Sequence, residues 1–172
     1  MDYVKIDYCG GHDSPAGHHS MSKAMNATGR NMVLALCRGP YQHEDHWGYA
    51  PEVAQVWRAT EDHHDEFSST MKQVLSVKGK SSWSSPHNWA YLDMMMTGGQ
   101  GCASQCNGSR DDTGVCNFKE PQHCPGQTDN EYRTEASLYA VVSSPMMIGT
   151  DIRLMTPIMK ELLLNEEVGR GI

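Results

Sequence analysis

Met32-Val33-Leu34-Ala35-Leu36 is an unbroken apolar run of strand length. A strand with one wet face alternates apolar and polar side chains, so a run without alternation suits a strand buried on both faces, as in a parallel sheet covered by helices. The flanking segments carry the same organisation. Tyr3 to Asp7 alternates, ends in a carboxylate and is broken by Gly10-Gly11, which predicts a short strand. His18 to Asn26 has helical character and stops at Thr28-Gly29. Ala54 to Trp57 predicts a shorter strand, and Asp65 to Val77 a helix with Phe67, Met71, Val74 and Leu75 on one face. Trp89 to Met96, apolar but for Asp93, predicts another strand, and Gly98 to Gly126, without periodicity, a long loop. Thr128 or Asp129 opens a helix to about Ser143, with Glu131 placed to complete a capping box. Pro145 to Gly149 predicts a last short strand, and Thr156-Pro157 starts a final helix with proline in its first position. Strands alternating with helices mean an α/β fold with a parallel sheet. The chain has 172 residues, too few for a complete eightfold barrel, which typically takes about 250.

The net charge is −7, which argues against nucleic acid or an anionic membrane surface as the main partner and leaves neutral partners such as sugars open. No apolar run approaches the ~20 residues of a membrane span. Cys102, Cys106, Cys116 and Cys124 crowd into the Gly-, Ser- and Asn-rich loop, and sequons stand at Asn26-Ala27-Thr28 and Asn107-Gly108-Ser109. Clustered loop cysteines with glycosylation acceptors suggest an oxidising, secretory compartment. Met1 to Asp7 has neither a charged region nor an apolar core of a signal peptide, so the expectation is either a cytosolic protein or an interior piece of a longer secreted one.

Polar residues stand at the C-terminal ends of the predicted strands: Lys5 and Asp7, then Arg58 and Asp62, then Asp93. In a parallel α/β barrel that rim is where active sites are built. Two carboxylates across such a rim can cleave an acetal, one ionised to attack and the other protonated to release the leaving oxygen. The bland alternatives are a loop-capping aspartate for Asp7 and a solvated helix start for Asp62.

Val4-Lys5-Ile6-Asp7-Tyr8-Cys9 resembles the nucleophile segment, Leu-Lys-(Tyr/Phe)-Asp-x-Cys, of glycoside hydrolase family 27, the α-galactosidases and α-N-acetylgalactosaminidases. Met21 to Arg30 resembles the helix that follows it, and Trp57-Arg58-Ala59-Thr60-Glu61-Asp62 the acid/base segment Trp-Arg-x-x-x-Asp. Trp89-Ala90-Tyr91-Leu92-Asp93-Met94-Met95 is similar to Trp-Asn-Asp-Pro-Asp-Met-Leu. Glu131 to Arg153 and Leu163 to Val168 are similar to the closing elements of the barrel. The resemblance implies a partial (β/α)8 barrel, about strands 4 to 8, without the first strands and the C-terminal β-sandwich. It implies a single catalytic domain over 1–172 with a Cys-rich insertion at about 98–126. In that domain a retaining hydrolase would cleave terminal α-D-galactosides, oligosaccharide or glycoconjugate, without a cofactor. Asp7 would be the nucleophile, Asp62 the acid/base, and Lys5, Arg58, Asp93 and Met94 the sugar-binding residues. The resemblance further implies a secreted, lysosomal or vacuolar protein, with a homodimer of the full-length form as a partner reading.

The sequence departs from the family at Cys37-Arg38-Gly39-Pro40, where Cys-Glu-Trp is usual, and at Ala90 and Tyr91. These departures keep a related α-glycosidase of other sugar specificity as an alternative. The absent front of the barrel keeps an inactive fragment or carbohydrate-binding relic, with residues 1–172 alone expected to fold poorly and lack activity. A cysteine/histidine metal protein is the remote rival, since neither HExxH nor paired short cysteine spacings occur. Disulfides among Cys102, Cys106, Cys116 and Cys124 are the better expectation; Cys9 and Cys37 stay ambiguous. Lys5 and Asp7 share a strand face, so Lys5 should hold Asp7 ionised. Arg58 beside Asp62 would oppose an acid role, so Arg58 is expected to point at the sugar and at Asp7 more than at Asp62.

Overall fold

The structure, a computed structural model, describes residues 2–7, 14–37, 46–97, 126–150, 152 and 155–166. Of the loop predicted over 98–126, residues 98–125 lie outside the described residues, with Cys102, Cys106, Cys116, Cys124 and Asn107 among them, and so does Cys9.

Among the described residues four strands, β1 (Tyr3–Ile6), β2 (Val33–Leu36), β3 (Val56–Arg58) and β4 (Trp89–Tyr91), form one sheet in sequence order, every neighbouring pair parallel. Between them run α1 (Pro15–Ala27), α2 (His46–Val53) and α3 (Phe67–Ser76); α4 (Asp129–Val141) and α5 (Pro157–Leu163) follow. The chain divides into two compact units. One comprises Met1–Asp62, Gln73–Asp93 and Val142–Pro145, and holds the sheet with α1 and α2. The other comprises His63–Lys72, Met94–Val141 and Met146–Ile172, and holds α4 and α5.

In the first unit the alternation of the strands sorts side chains onto two faces. Leu34, Leu36, Trp57 and Ala90, with Val4 and Ile6, face Met25 of α1 and Ala50 and Val53 of α2. Ala35, Val56 and Tyr91, with Tyr3 and Val33, form a separate cluster on the other face. The apolar run at 32–36 is therefore buried on both sides, Leu34, Ala35 and Leu36 being at most 2 % exposed. Helix α1 starts where Ser14 accepts from the Gly17 amide and Pro15 takes the first helical position. It ends where the Thr28 hydroxyl donates to Met25 and Gly29 turns left-handed at φ 68, a conformation glycine adopts without Cβ strain.

The second unit carries its own helix signals. The Thr128 amide and hydroxyl both donate to the Glu131 carboxylate, at 2.7 and 2.9 Å, while the Glu131 amide returns to the Thr128 hydroxyl at 3.4 Å. This is the capping box expected from the sequence. Thr156 caps α5 and Pro157 opens it. Arg133 of α4 makes a two-pronged ion pair with Glu161 of α5, both contacts 2.7 Å.

Helix α2 forms where the sequence carries no expectation, with Gly48 and Pro51 inside it and Ala50 and Val53 packed in the core. Three expectations change. The strand expected over Trp89–Met96 contracts to Trp89–Tyr91. The strand expected at Pro145–Gly149 contracts to a single parallel bridge between Met95 and Ile148. On α3 the buried residues are the polar Thr70 and Gln73, while Leu75 is 58 % exposed. Thr70 and Gln73 are satisfied by hydrogen bonds with Gln127 and the Glu61 carbonyl, so their burial costs little.

Candidate functional site

The register assembles the site. Ile6 pairs with Leu36, and Leu36 with Trp57; one residue further along, Asp7, Cys37 and Arg58 occupy successive strands at the same level. Arg58 is in register with Tyr91, and Asp93 follows two residues later. Odd positions of β1 and β2 and even positions of β3 point to one face, so Lys5, Asp7, Cys37 and Arg58 share the face of the smaller apolar cluster, at its C-terminal edge.

Arg58 is the hub. Its side chain is 7 % exposed, and that of Asp93 is 6 % exposed, with Nη1 3.7 Å from Oδ2. Nε donates to the Thr60 carbonyl at 3.1 Å, Nη1 to Cys37 Sγ at 3.3 Å, and Nη2 to the Asp62 carboxylate. Burial disfavours the guanidinium charge, but Asp93 and the Asp62 hydrogen bond outweigh it and hold its pKa above the ordinary arginine value. The expected aim of Arg58 at Asp7 is thus corrected. The 59–62 segment turns back so that the Thr60 carbonyl and Asp62 both face the guanidinium, and a buried guanidinium needs each edge paired.

Asp7 lies on the other side of Cys37. Lys5 Nζ stands 3.9 Å from Asp7 Oδ2, the contact expected from their shared strand face. The Cys37 thiol is free, buried and hydrogen-bonded to Asp7. Burial first, then the Asp7 bond, raises its pKa against the opposing pull of Arg58 and Lys5, so the sulfur keeps its proton at neutral pH and donates it. The buried charges Arg58 and Asp93 underlie two open carboxylates: the Asp7 side chain is 54 % exposed and that of Asp62 75 %. Asp93 is left-handed, φ 73, a conformation that costs an L-residue roughly 1–2 kcal/mol and is held by burial and the Arg58 pair.

Met94 belongs to the second unit, where its carbonyl accepts from His63 Nδ1 at 2.9 Å. Asn26 is exposed in the last turn of α1, accessible as a glycan acceptor requires. Two features carry little signal in the sequence. Cys37 looks like one more candidate for a disulfide, and only its place two residues beyond Ala35, on the same strand face, signals a rim position. The other is a polar core in the second unit. There His63 Nδ1 lies 3.6 Å from Glu135 Oε1, and Nε2 3.0 Å from the Thr70 hydroxyl. Glu135 accepts from the Met96 amide and the Thr97 hydroxyl, at 2.7 and 3.0 Å, and Asp65 accepts from the Tyr132 hydroxyl. Burial pushes the Glu135 pKa up to about 7 against those hydrogen bonds.

Residues 1–112 match the family model described as Alpha galactosidase A. Alpha-galactosidase 3 of Arabidopsis thaliana is 30 % identical over 170 residues, covering 98 % of this chain and 33 % of that protein. The alpha-galactosidase of Coffea arabica is 32 % identical over 170 residues, covering 98 % and 38 %. Among solved structures, an α-galactosidase from Saccharomyces cerevisiae superposes with TM-score 0.75 at 19 % identity, over 98 % of this chain and 38 % of its own. A family 27 β-L-arabinopyranosidase from Geobacillus stearothermophilus gives 0.74 at 25 % identity, over 98 % and 37 %. The chain thus spans about a third of the length of the relatives it matches. Its four parallel strands and helices are part of an α/β barrel.

Proposed function

Since the chain belongs to the alpha galactosidase A family, we propose that it carries the two reacting carboxylates of a retaining glycoside hydrolase that cleaves terminal α-D-galactosides. The observation that carries this reading is the pair of open carboxylates, Asp7 and Asp62, tied from either side to one buried Cys37–Arg58 contact. Asp7 attacks the anomeric carbon, the glycosidic bond breaks, and Asp62 gives its proton to the departing oxygen. A glycosyl ester on Asp7 results. Asp62, now ionised, takes a proton from water, whose oxygen attacks the same carbon and frees Asp7. Lys5, 3.9 Å from Asp7, keeps negative charge favourable on it, and Asp93 lines the sugar. Arg58 donates from Nη2 to the Asp62 carboxylate, which fixes where that side chain stands beside the reacting bond. The cysteine-rich loop and exposed Asn26 support placing the full-length protein in a secretory compartment.

The test is hydrolysis of aryl α-galactosides by the full-length gene product beside its Asp7→Asn and Asp62→Ala variants. Asp7→Asn is expected to abolish turnover. Asp62→Ala should slow poor leaving groups far more than activated aryl groups and remove the upper limb of a bell-shaped pH profile. Turnover indifferent to both changes refutes the assignment. The likeness to a β-L-arabinopyranosidase at 25 % identity favours one second reading, a family member acting on another pyranoside. A panel of aryl glycosides that includes the β-L-arabinopyranoside separates the two.

A further inference from the structure

Between Asp7 and Arg58 stands a neutral, buried sulfur. Cys37 follows β2 directly, in the cross-strand row between Asp7 and Arg58. It accepts from Arg58 Nη1 at 3.3 Å and donates to Asp7. Its amide is fixed to the Ile6 carbonyl at 2.9 Å, so the sulfur is held by the sheet itself. The other titratable groups around it are Lys5 on β1, Tyr3 and Tyr91 on the same face, and Asp93 across the guanidinium.

We propose that Cys37 is a positioning residue of the reaction: its thiol orients the attacking carboxylate of Asp7 and links it to the guanidinium that holds Asp62. This inference rests on the reading of Asp7 as nucleophile. The chemistry is specific to a protonated thiol. A thiolate would repel Asp7, whereas a donor S–H stabilises the ionised carboxylate and fixes which oxygen lone pair remains free to attack. Arg58, donating to the same sulfur, polarises the S–H bond and strengthens that donation.

The test compares Cys37→Ala and Cys37→Ser in the full-length gene product, reading kcat/KM against pH with an activated aryl α-galactoside. Alanine removes donor and acceptor together. Its expected effect is a fall of about tenfold in kcat/KM, carried by kcat, with the lower, acidic limb displaced upward by about one pH unit as Asp7 loses a hydrogen bond to its charged form. Serine keeps both functions and is expected to restore the limb and most of the rate. Equal losses in both variants with an unmoved acidic limb overturn the proposal, because a packing role alone predicts that pattern. An unmoved limb and full activity in Cys37→Ala overturn it as well. Asp7→Asn in the same assay separates the two readings: if it retains activity, the nucleophile assignment itself has failed, whatever Cys37 does.

Discussion

At the scale of single residues, the rim is governed by what a guanidinium can do and an ammonium cannot. Arg58 satisfies a carbonyl, a thiol and a carboxylate at once, with Asp93 alongside. Lysine has three donors on a point charge and cannot cover that fan. Arg58→Lys in the full-length product is expected to lower kcat/KM about a hundredfold and to destabilise the fold by leaving Asp93 buried beside a poorly placed charge. Near-normal turnover in that variant would show that the fan is dispensable. The residue types at this rim were legible in the sequence, because carboxylates and cations at strand ends stand out from apolar runs. Their partners were not. Whether Arg58 reaches Asp7 or Asp62 depends on how residues 59–62 turn after β3, and no spacing rule encodes that turn. Cys37 escaped for a related reason: its neighbours are set by cross-strand register, and it looks like one more cysteine until Ile6 is known to lie beside Leu36.

At the scale of elements, the signals that survived are those with local causes. Ser14-Pro15 and Thr156-Pro157 start helices, and Thr128 with Glu131 closes its box, because each motif satisfies its own orphan amides. What failed depended on distant contacts. Helix α2 forms despite Gly48 and Pro51 because its core side chains meet the sheet, and the Met95–Ile148 bridge is too short for any periodicity to mark it. Two glycines test this division. A Cβ on Gly149 would lie 3.0 Å from Met94 Cβ and 3.2 Å from the Met95 carbonyl oxygen, whereas one on Gly48 meets nothing within 4 Å. Gly149→Ala should cost roughly 1–3 kcal/mol by crowding the bridge, while Gly48→Ala should stabilise by up to about 1 kcal/mol through helix propensity. Denaturant midpoints at constant m report both, and a neutral Gly149→Ala would mean the bridge yields easily.

At the scale of the whole molecule, stability should carry a pH signature from the buried carboxyl of the second unit. Glu135 titrates near 4.5 when exposed and at about 7 in the fold. The folded state therefore keeps a proton that the unfolded chain has released between those values. Stability falls as pH rises through that window, by up to about 3 kcal/mol at its upper end. Glu135→Gln, which can still accept from the Met96 amide, should flatten that decline in melting temperature; an unchanged slope would assign it to another group. The two carboxylates proposed to react stand in the opposite situation. The side chains of Asp7 and Asp62 are open to solvent while Cys37 and Arg58 behind them are buried, so exchanging one carboxylate oxygen for an amide nitrogen disturbs little of the interior. On the proposed reading, such a protein would still grip its sugar and release it uncut. On that reading one atom separates a hydrolase from a lectin, and a lineage that lost the chemistry could keep the recognition almost free of structural penalty.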